Sequence, residues 1–161
     1  FKDTSTNGGN LKTWFKIACQ NFKNVLELDL SGSRLTEDLK HFFENKKTSK
    51  SLETLRLDDC EYVGDDSTVE ITNCLPKWLL LGNKMENMIS LSMRNMGLLT
   101  GDICQIAQNI QNAHAPNLEY LSLSENSSVS ETIAFVSEML EDHPHISRLS
   151  MAGCELRSGH F

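Results

Sequence analysis

The sequence lacks the features that mark several large classes of protein. Its longest apolar stretch, 75–81, is interrupted by Pro76 and Lys77, and it falls well short of the roughly eighteen apolar residues of a membrane-spanning helix. A net charge of −7 without a basic stripe argues against binding to the phosphate backbone of nucleic acids. We therefore expect no nucleic-acid partner and no membrane partner.

The amino-terminal segment and the cysteines bear on the compartment. The chain starts at Phe1 and lacks the charged start and apolar core of a secretory signal, so we expect a piece of a longer protein. Its five cysteines contain no CxxC pair, which fits neither a disulfide framework nor a zinc site. Cys19, Cys74 and Cys104 fall on predicted helices as buried thiols. We therefore predict a cytoplasmic location.

What the sequence does contain is a fivefold leucine motif. The copies are VLELDLSGSRL from Val25, LETLRLDDCEY from Leu52, MISLSMRNMGL from Met88, LEYLSLSEN from Leu118 and ISRLSMAGCEL from Ile146. Positions four and six alternate as in a strand and position one approaches the same core, so each copy predicts a short strand. The copies start 27, 36, 30 and 28 residues apart, which is typical of repeat proteins whose units stack side by side.

Between the motifs, the apolar residues take a helical spacing. The rows are Leu35, Leu39, Phe42 and Phe43; Ile103, Ile106, Ala107 and Ile110; and Ile133, Val136 and Leu140. Helix starts are expected at Thr36, Ser67, Thr100 and Ser130, each with an acidic residue one to three positions later. An opening helix is predicted over 11–22. Pro76 predicts a kink in the long second interval, where Trp78 is either a core filler or an exposed anchor.

The ninth motif position turns the chain from strand to loop. It holds Ser33, Cys60, Met96, Asn126 and Cys154. An inward amide at Asn126 can bond unpaired loop backbone groups, so we predict that it is buried and that its Asn-Ser-Ser glycosylation match is accidental. Cys60 and Cys154 lie three strands, or roughly 14 Å, apart, about twice the reach of a disulfide.

Candidate chemical groups do not assemble into a site. His143 and His145 flank Pro144 and are better explained as a helix end, because the repeats place no third metal ligand beside them. A cysteine nucleophile with a histidine base lacks a strained turn or a glycine-rich loop, and the acidic run 58–70 lacks the spacing of a calcium loop. We predict no enzyme activity, no catalytic residue, no metal and no cofactor.

The third, fifth and seventh motif positions point away from the core and form columns, a surface that we call the polar wall. Its candidate protein-binding residues are Glu27, Asp29, Arg56, Asp58, Ser92, Arg94, Tyr120, Ser122 and Arg148. Two interpretations stay open. In the first, neighbouring charges pair across strands, Asp29 with Arg56 and Asp58 with Arg94. In the second, Arg94, Tyr120 and Arg148 form the centre of a contact patch for a protein.

The motifs LELDLSGSRL, LETLRLDDCEY and LEYLSLSEN resemble the ribonuclease-inhibitor type of leucine-rich repeat, and the resemblance covers 11–156. It implies an α/β fold, namely one leucine-rich repeat domain over 1–161 with about five strand-helix repeats. Such repeats form a right-handed βα solenoid, or horseshoe, with a parallel sheet on its concave, protein-binding face. Met96 departs from the asparagine or cysteine expected at the ninth position, and the 36-residue interval departs from regular curvature.

Bearers of this repeat type include the sensor regions of NOD-like receptors, inhibitors, GTPase-activating proteins and actin-capping proteins. The resemblance implies a non-catalytic interaction or ligand-sensing module. We expect the sensor region of an intracellular innate immune receptor, with an F-box substrate adaptor or an actin-regulator-like scaffold as the alternative. The fifth motif ends five residues before Phe161, so its strand edge is expected to be covered by further repeats or by self-association.

Overall fold

Five three-residue strands form one parallel sheet. The computed structural model describes residues 24–45, 50–63, 75–76, 79–127 and 132–154. Within these ranges the strands of this sheet are β1 (Glu27–Asp29), β3 (Thr54–Arg56), β5 (Ser90–Ser92), β6 (Tyr120–Ser122) and β7 (Arg148–Ser150). They lie in the order β1-β3-β5-β6-β7, and each neighbouring pair is parallel. The strand positions predicted from the motifs are confirmed. A second parallel pair joins β2 (Arg34–Leu35) to β4 (Glu61–Tyr62).

The register of the sheet places the fourth motif position in a single row. This row consists of Leu28, Leu55, Leu91, Leu121 and Leu149. Its three central members are at most 1% exposed. Since strand side chains alternate between the two faces, a strand that slipped by one residue would turn its leucine toward the polar face, and burial of the leucines therefore fixes the register.

The first and sixth motif positions join the same core. Leu52, Met88 and Leu118 at position one are at most 1% exposed. Position six is also buried from β1 to β6, and the buried apolar residues belong to one continuous cluster. At β7 the inward residues Leu149 and Met151 are only partly buried, because β7 is the last strand of the described sheet.

Helices alternate with the strands where the structure describes the intervals. They are α1 (Lys40–Glu44), preceded by a short 3-10 turn at Glu37–Leu39, α2 (Thr100–Gln111) and α3 (Ile133–Asp142). The predicted row on α2 is buried throughout, at 3% exposure or less, and α2 contacts α3. On α3, Val136 is buried whereas Ile133 is only partly so. The described chain is thus a mixed α/β structure around a parallel sheet.

The start of α2 differs from the prediction. The residue that precedes the helix is Leu99 rather than Thr100. The Asp102 carboxylate accepts the backbone N–H groups of Leu99 and Leu75, both at 3.0 Å, and its side chain is 2% exposed. Asp102 therefore connects both Leu75 and the residue before the helix to the start of α2. Thr36 precedes the 3-10 turn as predicted, without a side-chain capping bond.

Several predictions fall outside the described residues. They concern the opening helix over 11–22, the helix starts at Ser67 and Ser130, and the residues Cys19, Cys74 and Trp78. Beyond Pro76, the described residues 79–81 form a turn, with Leu79, Leu80 and Leu81 all buried. Leu81 has a positive φ of 59°, so the chain does not continue there as a regular helix.

Candidate functional site

Each motif leaves its strand through one residue in the left-handed backbone conformation. This residue is always the eighth of the motif: Gly32, Asp59, Asn95, Glu125 and Gly153, with φ between 51° and 72°. A Cβ atom at Gly153 would lie 2.8 Å from Cγ of Glu125, so this position also needs glycine for space. The motif analysis missed this turn, although glycine, aspartate and asparagine are the residues that adopt a positive φ most readily.

The side chain of Asn126 binds the loops of two neighbouring motifs. Its Oδ1 accepts the backbone N–H groups of Met96 and Leu98, both at 3.1 Å. Its Nδ2 donates to the carbonyl oxygens of Met93 at 2.9 Å, Leu123 at 2.9 Å and Ser124 at 3.2 Å. Asn126 is 1% exposed, which confirms its predicted burial. Attachment of a sugar would require the Asn126 side chain to leave the core.

The two cysteines at the ninth position also bind the backbone of the preceding motif, each through a single hydrogen bond. Cys60 Sγ donates to the carbonyl of Leu30 at 3.0 Å, and Cys154 Sγ donates to that of Leu123 at 3.4 Å. Asn126 reaches the equivalent carbonyl of its preceding motif, at Met93. Burial raises the pKa of the Cys60 thiol to about 11. The thiol therefore keeps the proton that it donates to Leu30. Among the described cysteines, Cys60, Cys104 and Cys154 are free thiols.

The polar wall has the predicted columns. The third-position column is Glu27, Thr54, Ser90, Tyr120 and Arg148, and the fifth-position column is Asp29, Arg56, Ser92, Ser122 and Ser150. Glu27, Asp29, Arg56, Arg94 and Arg148 are exposed, whereas Asp58 and Tyr120 are half-buried. These seven predicted binding residues thus have solvent-accessible side chains on one side of the sheet.

Ser92 and Ser122 depart from the prediction, because they are only 7% and 3% exposed. The Ser92 hydroxyl donates to Asp58 Oδ1 at 2.5 Å, and the Ser122 hydroxyl donates to Ser124 Oγ at 3.4 Å. Strands lie only about 4.8 Å apart, so a short side chain between longer ones does not rise to the surface. These serines form the floor of the polar wall, with little accessible area for contact with a partner.

The predicted pairing of Asp58 with Arg94 takes another form. The Asp58 carboxylate accepts the backbone N–H of Arg94 at 2.9 Å. The Arg94 guanidinium instead lies 2.6 Å from Glu125 and 4.0 Å from Asp59. The hydrogen bond to Glu125 is the main reason that the pKa of Arg94 is raised. Arg94 therefore belongs to an acidic network at the loop end of the strands.

Asp29 and Arg56 lie side by side on β1 and β3 without an ion pair between them at 4.0 Å or less among the described contacts. Asp29 accepts the backbone N–H of Ser31 at 3.0 Å. Hydrogen bonding by Ser31 is the largest cause that lowers the pKa of Asp29, and the charge of Arg56 adds a smaller attraction. The cross-strand pairing of these two charges is therefore limited to a longer-range attraction.

Tyr120 and Arg148 do come together. The Arg148 guanidinium lies over the Tyr120 ring, 5.2 Å from its centroid, in the range of a cation–π interaction. Of the three residues predicted as the centre of a contact patch, these two form one unit across β6 and β7. Arg94 is bound elsewhere, to Glu125.

A shallow groove at the opposite end of the strands was missed by the motif analysis. It is lined by Glu53, Asn87, Ile89, Asn117, Glu119 and His145. Asn87 and Asn117 each precede a motif and donate to a carbonyl of the preceding repeat, at Lys50 and Glu86 respectively. The recurring asparagine before the third and fourth motifs is the sequence signal for this rim.

No protein-family model matches the chain, and a search of the curated proteins finds no match either. In the described ranges, no set of three or more histidine, cysteine or acidic side chains is arranged to hold a metal ion. None of the helices in those ranges combines the length and apolar character needed to cross a membrane.

Proposed function

We propose that this chain is a non-catalytic protein-binding module, a leucine-rich repeat solenoid of the ribonuclease-inhibitor type with the polar wall as its concave binding face. The observation that carries the proposal is the register of the five-stranded sheet. It buries the leucine row and presents the polar columns together on the other side.

The proposed mechanism is complementarity to a preformed surface. The backbone of each central strand is hydrogen-bonded to both neighbours, so little ordering of the wall is needed when a partner binds. Avoiding that ordering cost leaves more of the contact energy for affinity. The surface of the wall is uneven, because Tyr120 and Arg148 protrude beside the buried serines. This unevenness supports selection of a partner by shape.

We further propose that the parent protein is a cytoplasmic innate immune receptor of the NOD-like kind, with this chain in its sensor region. The support is the repeat pattern alone. A nucleotide-binding P-loop encoded upstream is the expected finding. An F-box or an actin-binding helix there would instead assign the chain to an adaptor or scaffold.

The binding face is tested with paired variants of the whole chain. Tyr120→Ala with Arg148→Ala removes the stacked pair from the wall, and Phe135→Ala with Glu138→Ala removes exposed side chains from α3. A partner is first captured from cell extract with the unmodified chain and then purified for affinity measurement. The wall variant is expected to bind it at least about tenfold more weakly, since tyrosine and arginine dominate interface energies.

The α3 variant is the matched control and should retain its affinity to within about a factor of two, because few residues outside a contact carry binding energy. Both variants should show the unfolding midpoint of an intact fold. Unchanged affinity in the wall variant, together with loss in the α3 variant, would show that the helical side is the binding face and would overturn the proposal.

A further inference from the structure

The four arginines of the described ranges divide into two pairs. Arg34 lies 3.1 Å from Glu61, and Arg94 lies 2.6 Å from Glu125. Arg56 and Arg148 have neither a hydrogen bond nor an ion pair to any described residue, although the chain contains 22 acidic residues against 15 lysines and arginines. Both unpaired arginines lie on the polar wall.

The wall is shaped so that another chain can reach both guanidinium groups. Arg56 on β3 and Arg148 on β7 are three strand spacings apart and offset by two residues along the strands, so their Cα atoms are separated by roughly 16 Å. Between them lie Ser92 and Ser122, whose buried side chains leave a low floor. Tyr120 stacks under the Arg148 guanidinium and restricts its orientation before any partner arrives. An extended backbone can therefore cross the floor between the two charges.

The acidic groups on the wall already have hydrogen-bond donors. Asp58 accepts from Ser92 and from the backbone of Arg94, and Asp29 accepts from the backbone of Ser31. Glu27 and Asp29 lie on β1, and Asp58 follows Arg56 by two residues at the end of β3. The acidic groups are therefore at the β1–β3 side of the wall and would repel an anionic ligand there. A negatively charged partner is thus directed from β3 toward β7, where Arg148 is free of acidic contacts.

We propose that the polar wall binds an extended acidic segment of a protein partner, with Arg56 and Arg148 each holding one of its carboxylates. This inference rests on the proposed function of the wall and names the partner's chemistry. Arginine suits the role because its planar guanidinium forms paired hydrogen bonds with a carboxylate. The gap corresponds to about five residues of extended chain at roughly 3.3 Å each, so acidic side chains spaced in that way fit both arginines.

Octaglutamate is the probe for this inference. It is titrated into the whole chain at low salt while the side-chain Nε–H signals of the arginines are followed by nuclear magnetic resonance. The signals of Arg56 and Arg148 are expected to shift together, with those of Arg34 and Arg94 nearly unmoved. Arg56→Gln with Arg148→Gln should weaken octaglutamate binding by roughly tenfold or more, as expected for lost charge-assisted hydrogen bonds.

The matched control removes two positive charges away from the wall, by Arg34→Gln with Lys84→Gln. It should weaken binding by less than about twofold, because exposed distant charges contribute little. Equal losses in the two double variants would show general charge attraction and overturn the inference. Octalysine binding more tightly than octaglutamate would overturn it as well.

The outcome also separates this inference from the proposed function. A captured partner that depends on Tyr120 and Arg148, but is not displaced by octaglutamate, leaves the wall as the binding face and rules out the acidic segment. A partner that is indifferent to every wall variant overturns the proposed function, and the inference with it.

Discussion

Replacement of Asn126 by alanine is expected to lower the free energy of unfolding by about 3–5 kcal/mol, at the upper end for single substitutions. The amide makes five hydrogen bonds to the backbone of two adjacent motifs and is 1% exposed. Alanine would leave the N–H groups of Met96 and Leu98 without these partners inside the protein, where the cost of unpaired polar groups is highest. Urea unfolding followed by circular dichroism measures the difference.

Asn117→Ala provides the control for this prediction. Asn117 is also an asparagine bonded to a backbone carbonyl of the preceding repeat, but it is exposed and makes one such bond, to Glu86. Its loss should cost less than about 1 kcal/mol. Asn126→Asp keeps the shape and removes the amide donors, so it should also destabilise strongly. Equal small losses in all three variants would contradict the role assigned to Asn126.

Replacement of Leu91 by alanine is expected to cost about 3–4 kcal/mol of folding free energy, in the range of buried leucine deletions. Leu91 is 0% exposed and lies on β5, the central strand of the sheet, between Leu55 and Leu121. Its removal opens a cavity bordered by neighbours on both sides, which the strands cannot close without losing their register. The same urea experiment gives the value.

Leu26→Ala is the matched substitution on the surface, because Leu26 is 53% exposed. It should change the free energy of unfolding by no more than about 0.5 kcal/mol. If Leu91→Ala were as mild as Leu26→Ala, the inward row of leucines would not be the core of this protein.

The leucine spacing was sufficient to predict the strands, their parallel order and the burial of Asn126. The reason is physical: a period of two fixes which strand face is buried, and copies of one motif can only share a core by stacking in register. Leu55, Leu91 and Leu121 therefore lie where the pattern placed them. The strand-then-helix alternation follows from the change of period between motifs.

The details of the polar wall were less predictable, because they depend on side-chain height and on competing hydrogen-bond partners. Ser92 and Ser122 have the correct orientation but are too short to reach the surface. One of the two interpretations paired Arg94 with Asp58, yet Arg94 reaches Glu125, which is one residue beyond the seventh position of the next motif. Column analysis compares equal motif positions and therefore misses such diagonal contacts.

Asp102 illustrates the same limit on a helix. Its position near the start of α2 predicted only an acid at the positive helix end. The structure instead brings the backbone of Leu75 against it, from a segment that lies 27 residues earlier. The repeat pattern predicts contacts between equivalent positions of neighbouring motifs. It does not predict contacts made by the irregular segments between the motifs.

The most direct test of this account is a measurement of backbone and methyl nuclear Overhauser contacts in the isotope-labelled chain. The account predicts contacts between Leu55 and Leu91 and between Leu91 and Leu121, in a parallel pattern with each leucine opposite the next. Antiparallel contacts, or a register shifted by one residue, would contradict it. A one-residue shift would turn the leucine of the shifted strand toward the proposed wall, and antiparallel strands would break up the columns that form it.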